Sequence, residues 1–286
     1  MMSSKKTVLV TGANGFIGRV VVAKLESAGW VVTKVVRSSQ RLLGEGFIGL
    51  DLNNPDSLLL LGQEARFDAI VHLGAHVGLN DNVSEAQMYM PNIVATGLLA
   101  FLAAKWSSFL IFSSTALVCG ARKEFINIDS LVHPNTPYAK SKYLGEELIL
   151  ASNVRACVLR IAGTFGFMGP SHLGLNQAIN SAIGGVSPTQ INSGKALRNY
   201  IYVEDVGRSI VYALEHQIQG IHFLAGNEVL SVAQMLSGVC DVFLPGQHPI
   251  PKNGEESSDQ IIESSALLPI SRSFHDALVD IKSAAK

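Results

Sequence analysis

Short apolar runs alternate with helix-like patterns along the first 160 residues of the chain. Runs rich in Val, Ile and Leu predict β-strands at residues 8–10, 31–36, 47–50, 69–73, 109–113 and 154–161. Helical patterns lie at residues 16–28, 55–64, 84–105 and 138–151, and Pro91 is expected to kink or restart the third helix. This alternation predicts an α/β fold with a doubly wound parallel sheet, in which ligands bind beyond the carboxyl ends of the strands.

The pattern loosens after residue 161. Residues 162–200 are rich in Gly, Ser and Asn, which favours loops and short elements that cover a substrate. Residues 200–203 and 205–216 then predict a strand and a helix that return to the main sheet. We therefore predict a first domain at residues 1–165 and a small substrate-binding portion at residues 166–286, with 200–216 returning to the first domain.

Composition narrows the function classes. The formal net charge of -1 indicates no overall attraction to nucleic acid or to an anionic membrane. The cysteines at positions 119, 157 and 240 are far apart and form no C-x-x-C pair, so we expect neither disulfides nor a zinc site, and a cytoplasmic, reducing compartment. The longest apolar stretch, residues 93–104, is too short to span a bilayer and predicts a buried helix. His72 and His76 lie at a strand end, where they would not converge on one metal ion.

A glycine-rich turn follows the first strand. Gly12, Gly15 and Gly18 have three-residue spacing and precede the first helix. Glycine lets the backbone approach a ligand closely, and the start of a helix offers unpaired N–H groups to a diphosphate. The alternative interpretation is an ordinary strand–turn–helix connection, because a glycine triplet alone is a weak signal.

The end of the second strand bears on the choice of cofactor. NAD-binding sheets usually carry an acidic residue about 20 residues past the glycines, where it holds the ribose 2′-hydroxyl. Arg37 occupies that place here and would pair with a 2′-phosphate, which favours NADP over NAD. A solvated surface arginine is the alternative. The small residues Gly74 and Ala75, after the fourth strand, would let a cofactor lie against the sheet edge.

Two clusters carry candidate proton-transfer chemistry. Residues 113–115 read Ser-Ser-Thr at the end of the fifth strand, and Tyr138 and Lys142 are four apart on a predicted helix. Residues at i and i+4 share one helical face, so the ammonium would lie near the phenol and lower its pKa. Such a pair passes a proton to or from a sugar or alcohol oxygen, which Thr115 could also contact. Alone, the spacing more often marks a solvated helix face.

Taken together, these segments resemble a known family. In order they are TGANGFIG, Asp51-Leu52, HLGAH, Asn92, SST, PYAKSK and RNYIYVEDV. The chain resembles the extended short-chain dehydrogenase/reductase family, in its NAD(P)-dependent nucleotide-sugar epimerase/dehydratase branch. The resemblance covers nearly the whole chain and is strongest through residue 212. It implies a Rossmann fold, a nucleotide-linked sugar as substrate, and a homodimer formed by the helices at 84–105 and 138–151.

The resemblance also implies roles for individual residues. The implied catalytic residues are Thr115, Tyr138 and Lys142. The implied cofactor contacts are Gly12, Gly15, Phe16, Ile17, Gly18, Arg37, Asp51, Leu52, Leu73, Gly74, Ala75, Asn92, Ser113, Tyr138 and Lys142. The implied substrate contacts are Ser114, Thr115 and Arg198, the last on a sugar-nucleotide diphosphate. For Arg198, the alternative is an ion pair with Glu204 or Asp205.

Departures from the family pattern leave the reaction open. Cys119 replaces the tyrosine of a V-Y-G segment, and Gly163 replaces an asparagine expected to contact the substrate. Ala116-Leu117 stands where dehydratases resembling this family carry Asp-Glu, which argues against dehydration. The remaining interpretations are an epimerase that uses NAD⁺, a 4-keto-sugar reductase that uses NADPH, a reductase of a non-sugar carbonyl compound, and a non-catalytic NAD(P)-binding regulator on the same fold.

Overall fold

A computed structural model describes residues 5–37, 43–44, 46–78 and 85–285. Its strands are β1 (Thr7–Thr11), β2 (Val31–Val36), β3 (Leu43–Gly44), β4 (Phe47–Gly49), β5 (Ala69–His72), β6 (Phe109–Thr115), β7 (Phe125–Ile126), β8 (Ala156–Ile161), β9 (Thr164–Phe165), β10 (Thr189–Ile191), β11 (Leu197–Arg198), β12 (Ile201–Tyr202), β13 (Gly220–Leu224), β14 (Leu230–Ser231), β15 (Ile250–Lys252) and β16 (Ile261–Ile262). Its helices are α1 (Phe16–Ser27), α2 (Pro55–Glu64), α3 (Glu85–Met88), α4 (Ala95–Trp106), α5 (Pro137–Ala151), α6 (Gly174–Ile183), α7 (Val203–Glu215), α8 (Val232–Phe243) and α9 (Phe274–Ala284).

One large sheet forms the centre of the fold, with strand order β13-β8-β6-β5-β1-β2-β4-β3. Strand β1 pairs in parallel with β2 on one side and with β5 on the other. The order therefore reverses at β1, as in a doubly wound sheet, and the carboxyl ends of these strands share one edge. The predicted α/β fold is confirmed. The short strand β3 is the exception in direction, since it runs antiparallel to β4.

Apolar strands between two layers of helices form the core. Val8, Leu9 and Val10 in β1 have no exposed surface, as expected of a strand covered on both faces. Leu9, Ile70 and Leu110 of three neighbouring strands belong to one apolar cluster that also includes residues of α2 and α4. This packing fixes the sheet edge where the glycine turn begins.

The helix around Pro91 is interrupted as predicted. Between α3 and α4 lies a π-helical segment, Tyr89–Val94, that contains this proline. Proline removes a backbone donor and crowds the preceding turn, which accounts for the altered hydrogen-bond register. The continuous stretch Glu85–Trp106 is long and apolar enough to cross a membrane by length and composition, but half of its most apolar window is buried within the protein. That burial is the behaviour expected of a core helix.

The chain forms two compact units. The first contains the described residues up to Ala121, together with Val132–Arg160 and Gly207–His222. The second contains Arg122–Leu131, Ile161–Val206 and residues 223–285. The sequence placed a boundary at residue 165 and assigned residues 200–216 to the first domain, whereas the first unit contains Gly207–His222 and the second contains Arg122–Leu131. Residues 122–131 belong to the second unit because β7 pairs with β16.

One predicted strand has a different partner. The sequence assigned residues 200–203 to the main sheet, and this was wrong. Strand β12 pairs instead with β9, in the register Ile201↔Thr164. The strand that extends the large sheet after α7 is β13. A strand of two residues carries too little pattern to specify its partner, so its pairing depends on tertiary packing.

Candidate functional site

The glycine turn after β1 forms a tight backbone loop against the start of α1. Gly12 has φ +67°, and its carbonyl accepts a hydrogen bond of 2.9 Å from the N–H of Gly15. A Cβ on Gly18 would lie 2.0 Å from that same carbonyl oxygen. Gly15 is the N-cap of α1 and provides no side chain to cap it, so the first N–H groups of the helix, at Phe16 and Ile17, have no partner within the helix. The turn can therefore present these donors to an anion.

Three strand ends meet beside this turn. A Cβ on Gly12 would lie 2.7 Å from the backbone nitrogen of Gly74, and a Cβ on Gly74 would lie 2.8 Å from Leu52 Cδ1. The N–H of Leu73 donates to the Thr11 carbonyl at 3.2 Å, and partly buried Ala75 follows Gly74. The structure thus brings Gly12, Leu52 and Gly74 together, and the tight contacts explain why glycine occupies two of these positions.

The two residues expected near an adenosine group have different surroundings. Arg37 directly follows β2 and is exposed. The Asp51 carboxylate accepts hydrogen bonds from the backbone N–H of Asn53 at 3.0 Å and from its side chain at 2.9 Å. Asp51 therefore shapes its own loop, while the Arg37 guanidinium remains available to solvent.

A buried histidine links the end of β1 to the first turn of α4. His72 Nδ1 lies 2.6 Å from Thr11 Oγ1, and its Nε2 lies 3.0 Å from Thr96 Oγ1. Burial, and next the positive charge of Lys142, lower the pKa of His72 to about 3, so the ring is neutral near pH 7. Across the described residues, no cluster of His, Cys, Asp and Glu could hold a metal ion.

Asn92 ties neighbouring elements together. Its side-chain amide exchanges hydrogen bonds with the backbone of His76, at 2.7 and 2.8 Å, and donates to Ser141 Oγ at 2.9 Å. The π-helical segment aims this buried side chain at both the loop after β5 and helix α5. Asn92 therefore positions the loop that carries Gly74 and Ala75.

Tyr138 and Lys142 lie in the first two turns of α5. The helix begins at Pro137, and Thr136 caps it by accepting a hydrogen bond from the Ala139 N–H at 3.2 Å. Tyr138 is partly buried, whereas Lys142 is only 1% exposed. The Lys142 Nζ lies 4.0 Å from the centroid of the Phe112 ring. Within the part of the chain that the structure describes, neither the Tyr138 hydroxyl nor the Lys142 ammonium has a hydrogen-bond partner.

The acidity of this pair differs from the prediction. Desolvation raises the pKa of Tyr138 to about 12. Burial lowers the pKa of Lys142 to about 7, against the negative charge of Glu146, which raises it. The expectation that the ammonium would acidify the phenol was wrong for the protein without ligands, because removing water from the phenolate has the larger effect.

The hydroxyls of residues 113–115 are engaged within the protein. Ser113 donates to the His72 carbonyl at 3.2 Å, and Ser114 donates to the buried Glu146 carboxylate. Thr115 Oγ1 accepts from the Leu117 N–H at 3.3 Å and caps the 3₁₀ turn Ala116–Cys119. The capping bond uses one lone pair of Thr115, so its O–H remains able to donate to a substrate oxygen.

Sequence reasoning missed the ion pair behind these residues. Arg160 Nη2 lies 2.8 Å from Glu146 Oε2, and both side chains are at most 5% exposed. Two signals were present in the sequence: Glu146 follows Lys142 by four residues, and Arg160 is a charge inside the apolar strand β8. A charge in a buried strand requires a partner, which a neighbouring helix must supply.

The second unit holds the remaining predicted residues. Arg198 donates to the backbone carbonyls of Leu197, at 2.8 Å, and of Ser258. The suggested ion pair with Asp205 is absent among the described residues, where Asp205 instead pairs with Arg272 at 3.3 Å. A Cβ on Gly163 would lie 2.1 Å from Tyr200 Cε1. The Tyr200 ring therefore occupies the space that a side chain at position 163 would need.

Comparison with known proteins identifies the family. The sequence matches the NAD dependent epimerase/dehydratase family over residues 8–226, which include the glycine turn, the Tyr138–Lys142 pair and Arg198. The chain belongs to this family.

The relatives of this chain include both epimerases and a protein named as a subunit of another enzyme. Methionine adenosyltransferase 2 subunit beta of Xenopus laevis is 28% identical over 263 residues, which cover 86% of this chain and 75% of the relative. UDP-glucose 4-epimerase 2 of Oryza sativa subsp. japonica is 32% identical over 161 residues, or 50% of this chain and 40% of the relative. The crystal structure of UDP-glucuronic acid 4-epimerase from Bacillus cereus in complex with NAD aligns with a TM-score of 0.82 at 22% identity, covering 98% of this chain and 96% of that one. At that identity the structural likeness concerns the fold.

The residues present fit the cofactor of the epimerase/dehydratase family. Gly12 and Gly18 leave no room for a Cβ at the turn, so the backbone is free to contact a diphosphate. Lys142 is a buried cation with no hydrogen-bond partner among the described residues, and a ligand hydroxyl would satisfy it. By family, then, the protein is an NAD-dependent epimerase/oxidoreductase of the extended short-chain dehydrogenase/reductase type.

Proposed function

We propose that the protein is an NAD(P)-dependent nucleotide-sugar epimerase or 4-keto-sugar reductase, with hydride transfer at a sugar carbon and Tyr138 as the acid/base. One observation carries this proposal: Lys142 is buried without a hydrogen-bond partner among the described residues, and its Nζ lies 4.0 Å from the ring centroid of Phe112, which lies 5.5 Å from that of His72. His72 in turn bonds to Thr11, the residue that precedes Gly12. The Tyr138–Lys142 pair and the glycine turn are therefore joined by one short chain of contacts.

Three side chains would share the proton-transfer work. Bound nicotinamide supplies a hydride acceptor or donor. Tyr138 would move a proton to or from the reacting sugar oxygen, and the Thr115 hydroxyl would donate to the same oxygen. The Lys142 ammonium would reduce the cost of the phenolate that forms when Tyr138 gives up its proton. Because the pKa of Tyr138 is about 12, the phenol is protonated near pH 7 and suited to donate to a ketone. Arg37 and Gly163 favour the reductase, whereas the named relatives favour the epimerase.

The cofactor choice within this proposal is NADP. Arg37 is exposed directly after β2, where no acidic side chain would hold a ribose 2′-hydroxyl. A guanidinium there can form paired hydrogen bonds with a 2′-phosphate. NAD⁺ that co-purifies would instead identify an epimerase that keeps its cofactor through the cycle.

The proposal also includes a nucleotide-linked sugar as substrate, a homodimer and a cytoplasmic location. Arg198 would bind the diphosphate of the nucleotide-linked sugar, once released from the carbonyls that it now contacts. Helices α4 and α5 would pair with their copies in a homodimer. A cytoplasmic location is supported by the cysteines, which are buried and form no disulfide: Cys119, Cys157 and Cys240.

Substitution of Tyr138 by Phe tests the catalytic proposal. We expect turnover of nucleotide sugars to fall by about 10²-fold or more, because the proton donor is lost, while NADPH and NADH affinities stay within about twofold. Turnover and cofactor binding by fluorescence are the measurements. Tyr143→Phe is the matched control, since Tyr143 lies one turn along α5. Normal turnover in the Tyr138 variant would refute the assignment.

The sequence similarity to methionine adenosyltransferase 2 subunit beta supports a second candidate function, that of a cofactor-binding subunit of another enzyme. In that case the wild-type protein would bind NADPH or NADH and show no turnover with any nucleotide sugar or simple carbonyl compound. The Tyr138→Phe variant would then keep full biological activity.

A further inference from the structure

One face of α5 carries a third ionisable residue beyond the proposed catalytic pair. Tyr138, Lys142 and Glu146 are each four residues apart, so they are stacked along the same side of the helix. Glu146 has no exposed surface. The mechanism proposed above does not use it.

Glu146 is held more firmly than a surface carboxylate. Arg160 Nε lies 3.2 Å from Oε1 and Arg160 Nη2 lies 2.8 Å from Oε2, a two-pronged arrangement. The Ser114 hydroxyl also donates to Oε1. Taking both charges out of water is costly, and well-packed apolar residues of similar volume often give equal or greater stability. Stability alone therefore does not explain why a buried ion pair lies at this position.

The surroundings of Lys142 show what the pair can do. On β6 it faces the uncharged ring of Phe112, and on β5 it faces His72, which is neutral near pH 7. The nearby side chains of Asn92 and Thr96, from the π-helical segment and α4, are also neutral. Arg160, on β8, is cationic, and its guanidinium donates to both oxygens of the Glu146 carboxylate.

Glu146 is thus the neighbouring charge that favours the ammonium form of Lys142. The ion pair of Glu146 is with Arg160 and not with Lys142, so its effect on Lys142 is electrostatic and acts over the distance of one helical turn.

We propose that Glu146, anchored by Arg160 and Ser114, is a positioning residue whose negative charge increases the protonated fraction of the buried Lys142. This inference rests on the proposed function only in giving Lys142 a task beside Tyr138. It also assigns the Ser114 hydroxyl to this network. The pKa of Lys142 is about 7 with the carboxylate present, so without it the side chain would lose its proton below neutral pH.

Lysine-selective ¹³C,¹⁵N labelling and NMR titration of the protein without cofactor would test the proposal. The signal that disappears in the Lys142→Met variant is assigned to Lys142. We expect Glu146→Gln to lower the Lys142 titration midpoint by about one pH unit or more. Glu146→Asp should restore most of that shift, because it keeps the charge. Glu147→Gln makes the same charge change at the next residue, which is exposed, and should leave the midpoint unchanged.

Glu146→Gln removes the carboxylate that balances the buried Arg160 guanidinium and is expected to lower stability, so the double variant Glu146→Gln/Arg160→Met provides the second measurement. It contains no buried guanidinium and should also show a Lys142 midpoint below that of wild type. A Lys142 midpoint equal to that of wild type in either folded variant would overturn the proposal. The titration does not require turnover, so it tests this proposal even if the wild-type protein proves inactive on nucleotide sugars.

Discussion

At the scale of single residues, desolvation dominates the chemistry of this site. Burial lowers the pKa of Lys142 to about 7, so this side chain is about half protonated near neutral pH. Burial also lowers the pKa of His72 to about 3 and raises that of Tyr138 to about 12, so both of these groups are neutral there. A bound ligand that accepts a hydrogen bond from Lys142 would stabilise the ammonium.

This burial predicts a pH dependence of stability. The pKa of Lys142 lies below its usual value of 10.5, so between pH 7 and pH 9 the unfolded chain binds more protons than the folded one. The free energy of unfolding should rise with pH in that window. Lys142→Met should remove this contribution and give a smaller rise, measured by chemical denaturation.

Lys140→Met is the control for that experiment. Lys140 is exposed on the same helix and pairs with Glu85 at the surface. Its substitution should change stability by no more than about 0.5 kcal/mol, with the same pH slope as wild type. Equal slopes in wild type and the Lys142 variant would contradict the prediction.

At the scale of elements, close backbone approaches decide how helices meet the sheet. Helix α1 starts against the Gly12 carbonyl, and α5 approaches β6 through Gly145, whose Cβ would lie 3.1 Å from Phe112 Cζ. The π-helical segment contributes in another way, since it rotates Asn92 towards two elements at once. Each of these features brings a part of the site to the same sheet edge.

Gly18→Ala tests the closest of these approaches. The new methyl group would lie 2.0 Å from the Gly12 oxygen, so the turn or the helix must shift. We expect a loss of about 1–3 kcal/mol in the free energy of unfolding and at least tenfold weaker binding of NADPH and NADH. Gly174→Ala is the control, because a Cβ there meets nothing within 4 Å. Unchanged cofactor affinity in the Gly18 variant would argue against a diphosphate at this turn.

At the scale of the whole molecule, the exposed apolar side chains of α4 and α5 bear on the oligomeric state. Phe101 on α4 is 55% exposed, and Leu144 and Leu148 on α5 are 47% and 40% exposed. All three belong to the first unit. Exposed apolar side chains of this size are typical of protein interfaces when they are contiguous. The proposed homodimer would bury them.

Sedimentation velocity tests that assembly. At micromolar concentration the wild-type protein should sediment as a dimer, and the double variant Phe101→Glu/Leu148→Glu as a monomer, because buried unpaired carboxylates are costly. Leu131→Glu changes an 85% exposed leucine of the second unit and should leave the dimer intact. A monomeric wild type would remove the homodimer from the proposal.

The predictions that held are those that depend on local pattern. The sequence located the strands of the large sheet that flank the glycine turn, and the helix that begins at Pro137. It also placed the interruption at Pro91. Periodicity, proline chemistry and the steric freedom of glycine are properties of a few neighbouring residues, so they can be recognised without knowing what packs against them.

The sequence by itself determined the family, the α/β fold and the placing of Tyr138 and Lys142 on one helical face. Only the tertiary structure decided that β12 pairs with β9, that Glu146 meets Arg160, and that the Tyr200 ring fills the space beside Gly163. It also decided the direction in which the pKa of Tyr138 moves. These features depend on burial and on contacts between residues distant in the chain, and both arise only when the elements pack together.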